Sequence, residues 1–597
     1  MSLKFTGSYS ELQTKLNNLN GTWDESQTNK KVLRVGSGLL NWYESTGTIQ
    51  FQGQGAEKEK LESEVPHLIY PQQFPKPEIV AKAENIPIEN TQKSINIKEQ
   101  TIERKYLKSI INDSELIIGI VSAVGTESKR VIDPLKDRLT GFGYDVEEVR
   151  VSGILTSYAN TGTSREYDRI KHYMESGDSL RKDSQSNAIL AAGVAKQILN
   201  NRTDSSTKKA YIINSLKHPS EVDLLRKVYG DGFYLIGIHA DEKRRHKYLT
   251  DDKGCTLEQA NELIKIDEDE SFGHGQKTRD TYHLADFFLN LGKNDDHVKN
   301  RLQRFLELIF SHPYKNPTFD EFAMFMAFNS SVRSGDLSRQ VGAVISQNNQ
   351  IIATGANDVP QSGGGLYWAE ADPETGEVSD HQDGKDYTRD GDSNKQAQAE
   401  IALEIAKKLL DSGIVDSDKE PGLNEILTGS KISDLTEFGR VVHAEMDALL
   451  SCGRAGIPTV GTTLYCTTFP CHNCAKHIIA GGIKRVVYVE PYPKSRALDF
   501  HSESIQLKSE FDKSTQDNQL IDFEAFIGVG PRRFLDLFSM NLGAGSKLKR
   551  KDKEGSTIEW DKSSAPIRTP LIPKSYIEIE QAAAEIWEEQ AAKDRPL

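Results

Sequence analysis

The sequence predicts a multidomain α/β protein, and three observations support that prediction. The chain has 597 residues, which is too many for one hydrophobic core, so two to four domains are expected. Between residues 113 and 310, apolar strand-like runs alternate with helical segments, as is typical of a parallel α/β sheet. A second alternation, in the order helix, strand, helix, strand, surrounds a group of His, Glu and Cys residues between positions 443 and 489.

Residues 1–75 predict a small α/β module. The expected elements are a helix over Ser10–Leu19, strands over Lys31–Val35 and Gly38–Tyr43, a turn at Ser45–Gly53 that leads into another strand, and a helix over Ala56–Val65. The run GLLNWYESTGTIQFQGQGAEKE resembles the TBP-like N-terminal module of type-3 ribonucleases H, which implies binding to RNA/DNA hybrids. A small docking domain is the alternative. Residues 76–112, at the end of a stretch rich in Pro, Lys, Glu and Asn, predict a linker.

Residues 113–312 predict a domain built on a parallel sheet. The expected elements are strands over Glu115–Val121, Asp145–Val151, Ala210–Ile213 and Phe233–His239, and a helix over Ser128–Thr140. The segment Gly119–Glu127 lies between the first strand and this helix, a context that suits a loop cradling phosphate. It contains no G-K-[ST], however, and the carboxylate of Glu127 would repel phosphate.

The same region resembles a P-loop nucleotide kinase with altered chemistry. Lys243–Lys247 is the sequence KRRHK, where such kinases carry an arginine-rich lid, and Arg279–Phe287 resembles the closing strand of their sheet. The resemblance implies a set of nucleotide-binding residues: Gly119, Ser122, Gly125, Thr126, Arg244 and Arg245. Nucleotide sensing and a purely structural role both remain open.

The segment His443-Ala444-Glu445 and the later Pro470-Cys471-His472-Asn473-Cys474 form the pattern H-x-E…P-C-x-x-C. One imidazole and two thiolates can hold Zn²⁺ and leave a fourth tetrahedral position for water, whose pKa the metal lowers. Glu445 is not a ligand in this pattern and is expected to move protons. A zinc ribbon would need four protein ligands, and no second CxxC or HxxxH exists. A redox CxxC would leave the HAE segment unexplained.

Local signals place this pattern at the beginning of two helices. Apolar residues recur at helical spacing after His443 and after Cys471, and helix N-termini stabilise thiolates. Upstream, Thr318 and Glu321 form a capping box that begins the last large domain, residues 317–545. A tail over 546–597 follows, with a basic cluster at Lys547–Lys553 and a helix expected over Tyr576–Ala592.

Four segments of this domain resemble the deoxycytidylate deaminase family. They are RQVGAVI from Arg339, GANDVP from Gly355, VVHAEMDALL, and LYCTTFPCHNCAKHIIAGGIKRVVYVEPYPKS. The resemblance implies a cytidine-deaminase-like α/β/α fold, a Zn²⁺ cofactor, deamination of dCMP or dCTP, and a homo-oligomer, often a hexamer. It also implies substrate-binding residues, namely Asn357 at the sugar, Ala444, and the phosphate ligands Arg339 and Lys494, with Arg496, Arg532 and Arg533 as further basic residues.

The chain departs from the simple family pattern in two places. An insertion over Gly363–Glu437 separates the two halves of the site, where the family places effector contacts, and this leaves control by dCTP or dTTP open. The chain also continues beyond the family pattern through Phe526–Phe534. A P-loop-like domain fused to such a deaminase, over roughly residues 110–545, resembles the bacterial anti-phage dCTP/dCMP deaminases. This resemblance implies depletion of dCTP during infection and restraint by a nucleotide, a small RNA or a partner.

Composition bears on the alternatives, which are a housekeeping dCMP deaminase, a nucleic-acid-editing enzyme and a non-catalytic zinc scaffold. The net charge is −14, from 88 acidic and 74 basic residues, which disfavours general binding to nucleic-acid backbones. No apolar run could span a bilayer, the first residues lack an apolar signal core, and there are only five cysteines. We therefore expect a cytoplasmic protein with no membrane partner.

Overall fold

The structure is a computed structural model, and it divides the chain into two compact units, Met1–Ile95 and Asn96–Leu597. It describes residues 3–19, 21–53, 56–70, 114–155, 165–202, 208–268, 274–292, 294–389, 391–416, 420–435, 437–489, 495–508, 520–541, 547–571, 584 and 587–588. The predicted linker at 76–112, most of the predicted helix Tyr576–Ala592, and Lys494 lie outside the described residues. Among the described residues, every helix is too short or too polar to cross a membrane.

The first unit is a four-stranded antiparallel sheet with two helices. Its elements are the helix Tyr9–Leu16, β1 Thr22–Gln27, β2 Lys30–Val35, β3 Gly38–Tyr43, β4 Thr48–Gly53 and the helix Ala56–Ile69, and the strands pair in chain order. Leu12, Leu40, Trp42 and Leu61 are buried in its core. β1 was not predicted, because the segment TWDESQ is mostly polar and shows no apolar alternation. In the structure this strand is mostly exposed.

The second unit contains two six-stranded sheets and a small hairpin. Its strands are β5 Leu116–Ser122, β6 Asp145–Arg150, β7 Lys209–Leu216, β8 Phe233–His239, β9 Phe287–Asn290, β10 Gly342–Gln347, β11 Gln350–Ala356, β12 Glu370–Ala371, β13 Val378–Ser379, β14 Thr463–Cys466, β15 Arg485–Tyr488, β16 Ile505–Leu507, β17 Ile521–Ala525 and β18 Gly528–Val529. The first large sheet, here called the middle sheet, has the order β6-β7-β5-β8-β9-β18. Its first five strands are parallel, and β18 is antiparallel to β9.

Helices cover both faces of the middle sheet, which explains why β5, β8 and β9 are apolar along almost their whole length. The helices are Lys129–Gly141, Val151–Leu155, Glu166–Asp183, Ile189–Asn201, Pro219–Tyr229, Glu242–Lys247, Leu257–Glu268, Thr278–Tyr282 and Asp295–Ile309. The four strands predicted in this region are confirmed with boundaries that differ by at most three residues, as is the first helix.

The expectation of a strand over Arg279–Phe287 is wrong for most of that segment. Thr278–Tyr282 is a short helix, and β9 begins only at Phe287. The apolar residues Tyr282 and Ala285 both pack against Gly237 of β8, whose missing side chain leaves room for them. The expectation of a strand came from the resemblance to the kinase fold, and only Phe287, the last residue of the segment, belongs to β9.

The second large sheet, here called the C-terminal sheet, has the order β11-β10-β14-β15-β17-β16. β10 pairs antiparallel with β11 and β14, and the remaining pairs are parallel. Its helices are Phe319–Ser331, Ala444–Ala455, His472–Ala480 and Ala497–Phe500. Ala444, Cys474 and Ala475 belong to the core on one face, and Ala323 and Met324 belong to the core on the other. This layering agrees with the expected α/β/α arrangement.

The two sheets of the second unit share one hydrophobic core. The cluster that contains Ala323 and Val344 continues to Ala285 and Phe288 of the middle sheet region. β18 follows the last strand of the C-terminal sheet and pairs with β9. The predicted division at 312–317 falls between two helices of this unit, and the assignment of separate domains there stays a prediction.

Candidate metal centre

Two helix N-termini bring the predicted zinc ligands together. His443 is the N-cap of Ala444–Ala455, and Cys471 is the N-cap of His472–Ala480, where its sulfur accepts a hydrogen bond from the backbone N–H of Cys474. Gly355 of β11 allows the first helix to lie close, because a Cβ there would stand 2.1 Å from the carbonyl oxygen of Ala444. The sequence prediction that both half-motifs begin helices is confirmed.

The three side chains form a site of the right size for Zn²⁺. Their ligand atoms lie within 4.8 Å of one another, and Nδ1 of His443 is 3.4 Å from Sγ of Cys471 and 3.3 Å from Sγ of Cys474. Tetrahedral zinc with ordinary Zn–S and Zn–N bonds separates such atoms by about 3.5 Å. The donor set therefore fits zinc, with one imidazole, two sulfurs and a fourth position that no protein ligand of this cluster fills.

The electrostatics of the cluster favour a thiolate at Cys471. Hydrogen bonding with Cys474, together with the hydrogen bond and charge of His443, lowers the pKa of Cys471 to about 3. The hydrogen bond with Cys471 raises the pKa of His443 to about 9. In the absence of a cation, the site thus holds a proton on the imidazole beside a thiolate, and a divalent cation would take the place of that proton.

Glu445 lies against this cluster without belonging to it. Its side chain is only 3% exposed, and Oε2 is 3.4 Å from Sγ of Cys474. Burial raises the pKa of the Glu445 carboxyl, which brings it closer to the range in which a carboxylate exchanges protons at neutral pH. Its position as the second residue of the helix Ala444–Ala455 holds this carboxylate against the cluster.

Comparison with known proteins also indicates a zinc-binding region in this part of the chain. Residues 317–490 match the family model of the cytidine and deoxycytidylate deaminase zinc-binding region. ComE operon protein 2 of Bacillus subtilis is 51% identical over 53 residues, which are 9% of this chain and 28% of that protein. The deoxycytidylate deaminase of Enterobacteria phage T4 is 31% identical over 173 residues, which are 29% of this chain and 77% of that protein.

The chain belongs to the deoxycytidylate deaminase family. It is accordingly a deaminase with a Zn²⁺ cofactor, and the cluster of His443, Cys471 and Cys474 has the geometry to hold that ion. Among solved structures, the dCMP deaminase from the cyanophage S-TIM5 in complex with dCMP and dUMP is 20% identical, with a TM-score of 0.20, and the match covers 35% of this chain and 98% of that one.

Asn357, the predicted sugar ligand of the deaminase, holds the loop that leads into β10. Its Nδ2 donates to the carbonyl oxygen of Arg339 at 2.8 Å, and its Oδ1 accepts from the N–H of Val341 at 2.6 Å. The carboxamide keeps one N–H and one lone pair for another partner. Ala444 is fully buried behind His443. The contacts of Asn357 and Ala444 with a substrate stay predictions.

The insertion of this deaminase contributes a buried ion pair that the sequence analysis missed. Lys385 is buried, and its Nζ donates to Oδ2 of Asp358 at 3.0 Å, directly after Asn357 in the chain. The insertion residue Trp368 stacks on the guanidinium of Arg333 at 3.6 Å from the ring centroid. No local pattern marks these partners, since Lys385 lies 27 positions from Asp358.

At the carboxyl end of β5, an internal carboxylate occupies the loop that was predicted to cradle phosphate. Oδ2 of the fully buried Asp267 accepts from the N–H of Val124 at 2.8 Å. Its Oδ1 accepts from Nζ of Lys217 at 2.8 Å and from Oγ1 of Thr278 at 3.0 Å. Lys217 also donates to the carbonyl oxygen of Ser122 at 2.6 Å. Asp267 therefore takes up, from within the chain, the N–H of Val124 and the ammonium of Lys217, two donors that a phosphate in this loop could use.

The other predicted nucleotide ligands surround the same loop. Gly119 lies inside β5, between β7 and β8, and packs against the ring of Phe233. Gly125 lies against buried Arg245, and Thr126 is nearly buried. Arg244 forms an ion pair with Glu127 at 2.5 Å, and burial raises the pKa of that carboxyl. Nucleotide binding by these residues stays a prediction.

The predicted phosphate ligands differ in their surroundings. Arg339 and Arg532 are exposed and line one cavity, whereas Arg533 is buried and ion-paired to Asp286 at 3.4 Å. Arg496 is 66% exposed, 3.7 Å from Asp499. Arg533 is thus held by internal contacts, and among the described members of this set Arg339 and Arg532 line one cavity, while phosphate binding by these residues stays a prediction.

Proposed function

We propose that the chain deaminates free deoxycytidine nucleotides, dCTP and dCMP, to the deoxyuridine nucleotides. The observation that carries this proposal is the buried carboxyl of Glu445 beside the three-ligand cluster of His443, Cys471 and Cys474. A scaffold that only bound zinc would not need this carboxyl, whose burial is costly unless it serves the chemistry. The phage T4 relative is named a deoxycytidylate deaminase, which supports the choice of substrate.

The chemistry follows from the positions of these residues. When bound, Zn²⁺ acidifies a water molecule so that it can act as a nucleophile near neutral pH. Glu445 accepts the proton that this water loses and delivers it to ring N3 of cytosine. The water oxygen forms a bond to C4, and Glu445 then passes the second water proton to the amino group. The C4–N bond breaks, and ammonia leaves.

The chain's own residues also orient the substrate in this proposal. Asn357 contacts the sugar through its remaining N–H and lone pair, Ala444 lies beside the base, and Arg339 and Lys494 approach the phosphates. A pocket that hydrogen-bonds the sugar and the phosphate discriminates against ligands that leave those groups unpaired. The net charge of −14 supports a small-molecule substrate over a nucleic acid.

The region before the deaminase domain supports a role beyond housekeeping dUMP supply. We propose that it has the P-loop kinase-like fold and that the enzyme depletes dCTP in anti-phage defence, under the restraint of a nucleotide or a small RNA. The five parallel strands and the loop after β5 support the fold, and the residues before position 317 lie outside the segment that matches the deaminase family model. Cytoplasmic location and assembly into a homo-oligomer belong to the same proposal.

The proposed function is tested by incubating the zinc-loaded protein with dCMP, dCTP, cytidine and single-stranded DNA and measuring ammonia release. We expect turnover of the two deoxynucleotides and much slower turnover of cytidine. A strong preference for single-stranded DNA would instead indicate a nucleic-acid-editing enzyme. Equal activity on cytidine and dCMP would overturn the assigned roles of the sugar and phosphate contacts.

A further inference from the structure

A cavity of about 300 Å³ lies where the C-terminal sheet region meets the middle sheet region. We call it the junction pocket. Its polar lining includes Arg339, Gln340 and Thr468 on one side and Asp280, His283 and Arg532 on the other. Both sides belong to the same compact unit of the chain.

The first side of the junction pocket includes Thr467 and Thr468, which precede the predicted zinc ligand Cys471 by four and three residues. Thr467 and Gly342 exchange hydrogen bonds of 3.0 and 3.1 Å, which join the segment before Cys471 to the beginning of β10. Thr468 lies three residues before Cys471, so their Cα atoms are at most about 11 Å apart. The backbone of Arg339 is held in place, because Nδ2 of Asn357 donates a hydrogen bond to its carbonyl oxygen.

The second side is held rigidly by the strand that joins the two sheets. Arg532 lies in the 3-10 turn Pro531–Arg533, directly after β18. The N–H of Gly530 donates to the carbonyl oxygen of Asp286 at 2.8 Å. Arg533 anchors the turn, since it donates to the carbonyl oxygen of Phe233 at 2.7 Å and pairs with Asp536 at 3.2 Å. The neighbouring Arg532 is thereby kept at the pocket.

The charges of the junction pocket favour an anion. Within the described part of the chain, neither the Arg339 guanidinium nor that of Arg532 makes a hydrogen bond or an ion pair at contact distance. Asp286, the acid near Arg532, is already paired with Arg226 and Arg533. Desolvation and repulsion from Arg226 lower the pKa of Arg532, and the carboxylates of Asp286 and Asp223 offset part of that effect. Among the described residues that line the pocket, Asp280 is the one carboxylate.

We propose that the junction pocket binds the phosphate chain of the deoxycytidine nucleotide, with Arg339 and Arg532 as its two cationic ligands. Guanidinium groups bind phosphate oxygens through paired, charge-assisted hydrogen bonds, and two of them on opposite walls suit a chain of several phosphates. Arg532 then sets the preference for dCTP over dCMP, from a position outside residues 317–490 that match the family model. This inference rests on the proposed function and extends it to phosphate number.

Because Thr467 and Thr468 of the lining lie within four residues of Cys471, we assign the substrate, and not a separate regulator, as the ligand of the pocket. A regulatory nucleotide in the junction pocket would occupy the space next to the catalytic segment Thr467–Cys471 and compete with the substrate. The test below distinguishes these two sources of phosphate.

The test measures kcat/KM for dCTP, dCDP, dCMP and deoxycytidine in the zinc-loaded full chain and in Arg532→Gln. We expect Arg532→Gln to lower kcat/KM for dCTP by about 10- to 100-fold, for dCMP by less, and for deoxycytidine least, because each charge-assisted contact contributes about 1.5–3 kcal/mol. The matched control is Arg150→Gln, which removes a 56% exposed guanidinium paired with Glu148 at 2.9 Å in β6. It should leave all four values unchanged.

Two outcomes would overturn the inference. One is an equal loss, or no loss, for all four substrates in Arg532→Gln. The other is unchanged dCTP turnover with an altered response to added dTTP, which would make the pocket regulatory. If the wild type deaminates none of the four substrates, the proposed function fails. Calorimetry with inorganic triphosphate then tests separately whether the junction pocket binds a phosphate chain. Triphosphate binding that is lost in Arg532→Gln then supports the junction pocket as a phosphate site. Triphosphate binding that is absent, or that does not depend on Arg532, overturns the inference.

Discussion

At the residue scale, the deaminase separates metal binding from proton transfer. His443, Cys471 and Cys474 converge within 4.8 Å, while Glu445 touches the cluster through Cys474 alone. The spacing H-x-E…P-C-x-x-C made all four residues predictable from the sequence, because each half lies at the beginning of a helix. The contact between Glu445 and Cys474 could not be predicted, since it depends on how the two helices pack on the sheet.

Glu445→Ala should keep stoichiometric zinc and the fold and should lower kcat by at least about 100-fold, the lower range for general acid–base catalysis. The reason is that this residue moves protons and binds no metal. Zinc content by atomic absorption and ammonia release from dCMP provide the measurements. Cys471→Ala is the comparison variant and should lose zinc. Near-normal turnover by Glu445→Ala would refute the mechanism.

The dependence of kcat/KM on pH should show the ionisation of the Glu445 carboxyl. Burial raises the pKa of this carboxyl, and only its ionised form accepts the water proton, so kcat/KM should fall with decreasing pH at values above the ordinary range of a glutamate. The profile is measured with dCMP, and zinc content is checked at each pH because protonated cysteines release metal. An acidic limb at or below the ordinary glutamate pKa, with zinc retained, would contradict this assignment.

At the scale of elements, the sequence predicts apolar strands well and contacts between distant loops poorly. The strand Phe233–His239 was predicted to the residue, because it is apolar throughout and is preceded by Gly-Asp-Gly. The polar strand Thr22–Gln27 gave no such signal. Asp267 lies 143 positions from Val124, whose N–H donates a hydrogen bond to it. No local sequence pattern could therefore reveal that Asp267 contacts the loop after β5.

Asp267→Ala should destabilise the second unit by about 3 kcal/mol or more, because it leaves the partly buried ammonium of Lys217 without its partner. The measurement is the denaturant midpoint of the full chain. The control on the same helix is Glu258→Ala, an exposed residue near the helix N-terminus, which should cost at most about 1 kcal/mol. Equal midpoints for both variants would show that the Asp267 cluster contributes nothing to stability.

At the scale of the whole molecule, one buried carboxylate joins three parts of the second unit. Glu321 completes the capping box of Thr318, accepts two hydrogen bonds of 2.7 Å from Arg304, and accepts from the N–H of Val529 at 2.8 Å. The capping box was predictable from the sequence alone. The links to a helix of the middle sheet region and to β18 were not, because they arise only when the two sheets share a core.

Glu321→Ala should therefore destabilise the second unit by about 3–5 kcal/mol, since it leaves Arg304 and a backbone N–H without their acceptor. Urea unfolding followed by tryptophan fluorescence and circular dichroism measures this loss. Glu404→Ala, which removes an exposed partner of Lys408, should change stability by less than about 0.5 kcal/mol. An equally small loss of unfolding free energy in Glu321→Ala would contradict the role of Glu321 in linking the three parts of the second unit.

The pairing of β18 with β9 has a consequence for synthesis on the ribosome. Phe287–Asn290 is buried throughout, yet the residues that cover its open edge, Gly528 and Val529, follow about 240 positions later. At about 5–20 residues per second, the nascent chain carries this phenylalanine-rich edge uncovered for about 10–50 s. Such an edge readily pairs with other chains. Newly made protein therefore depends on chaperones during this interval more than a simple deaminase would, and truncation before residue 528 leaves the edge open permanently.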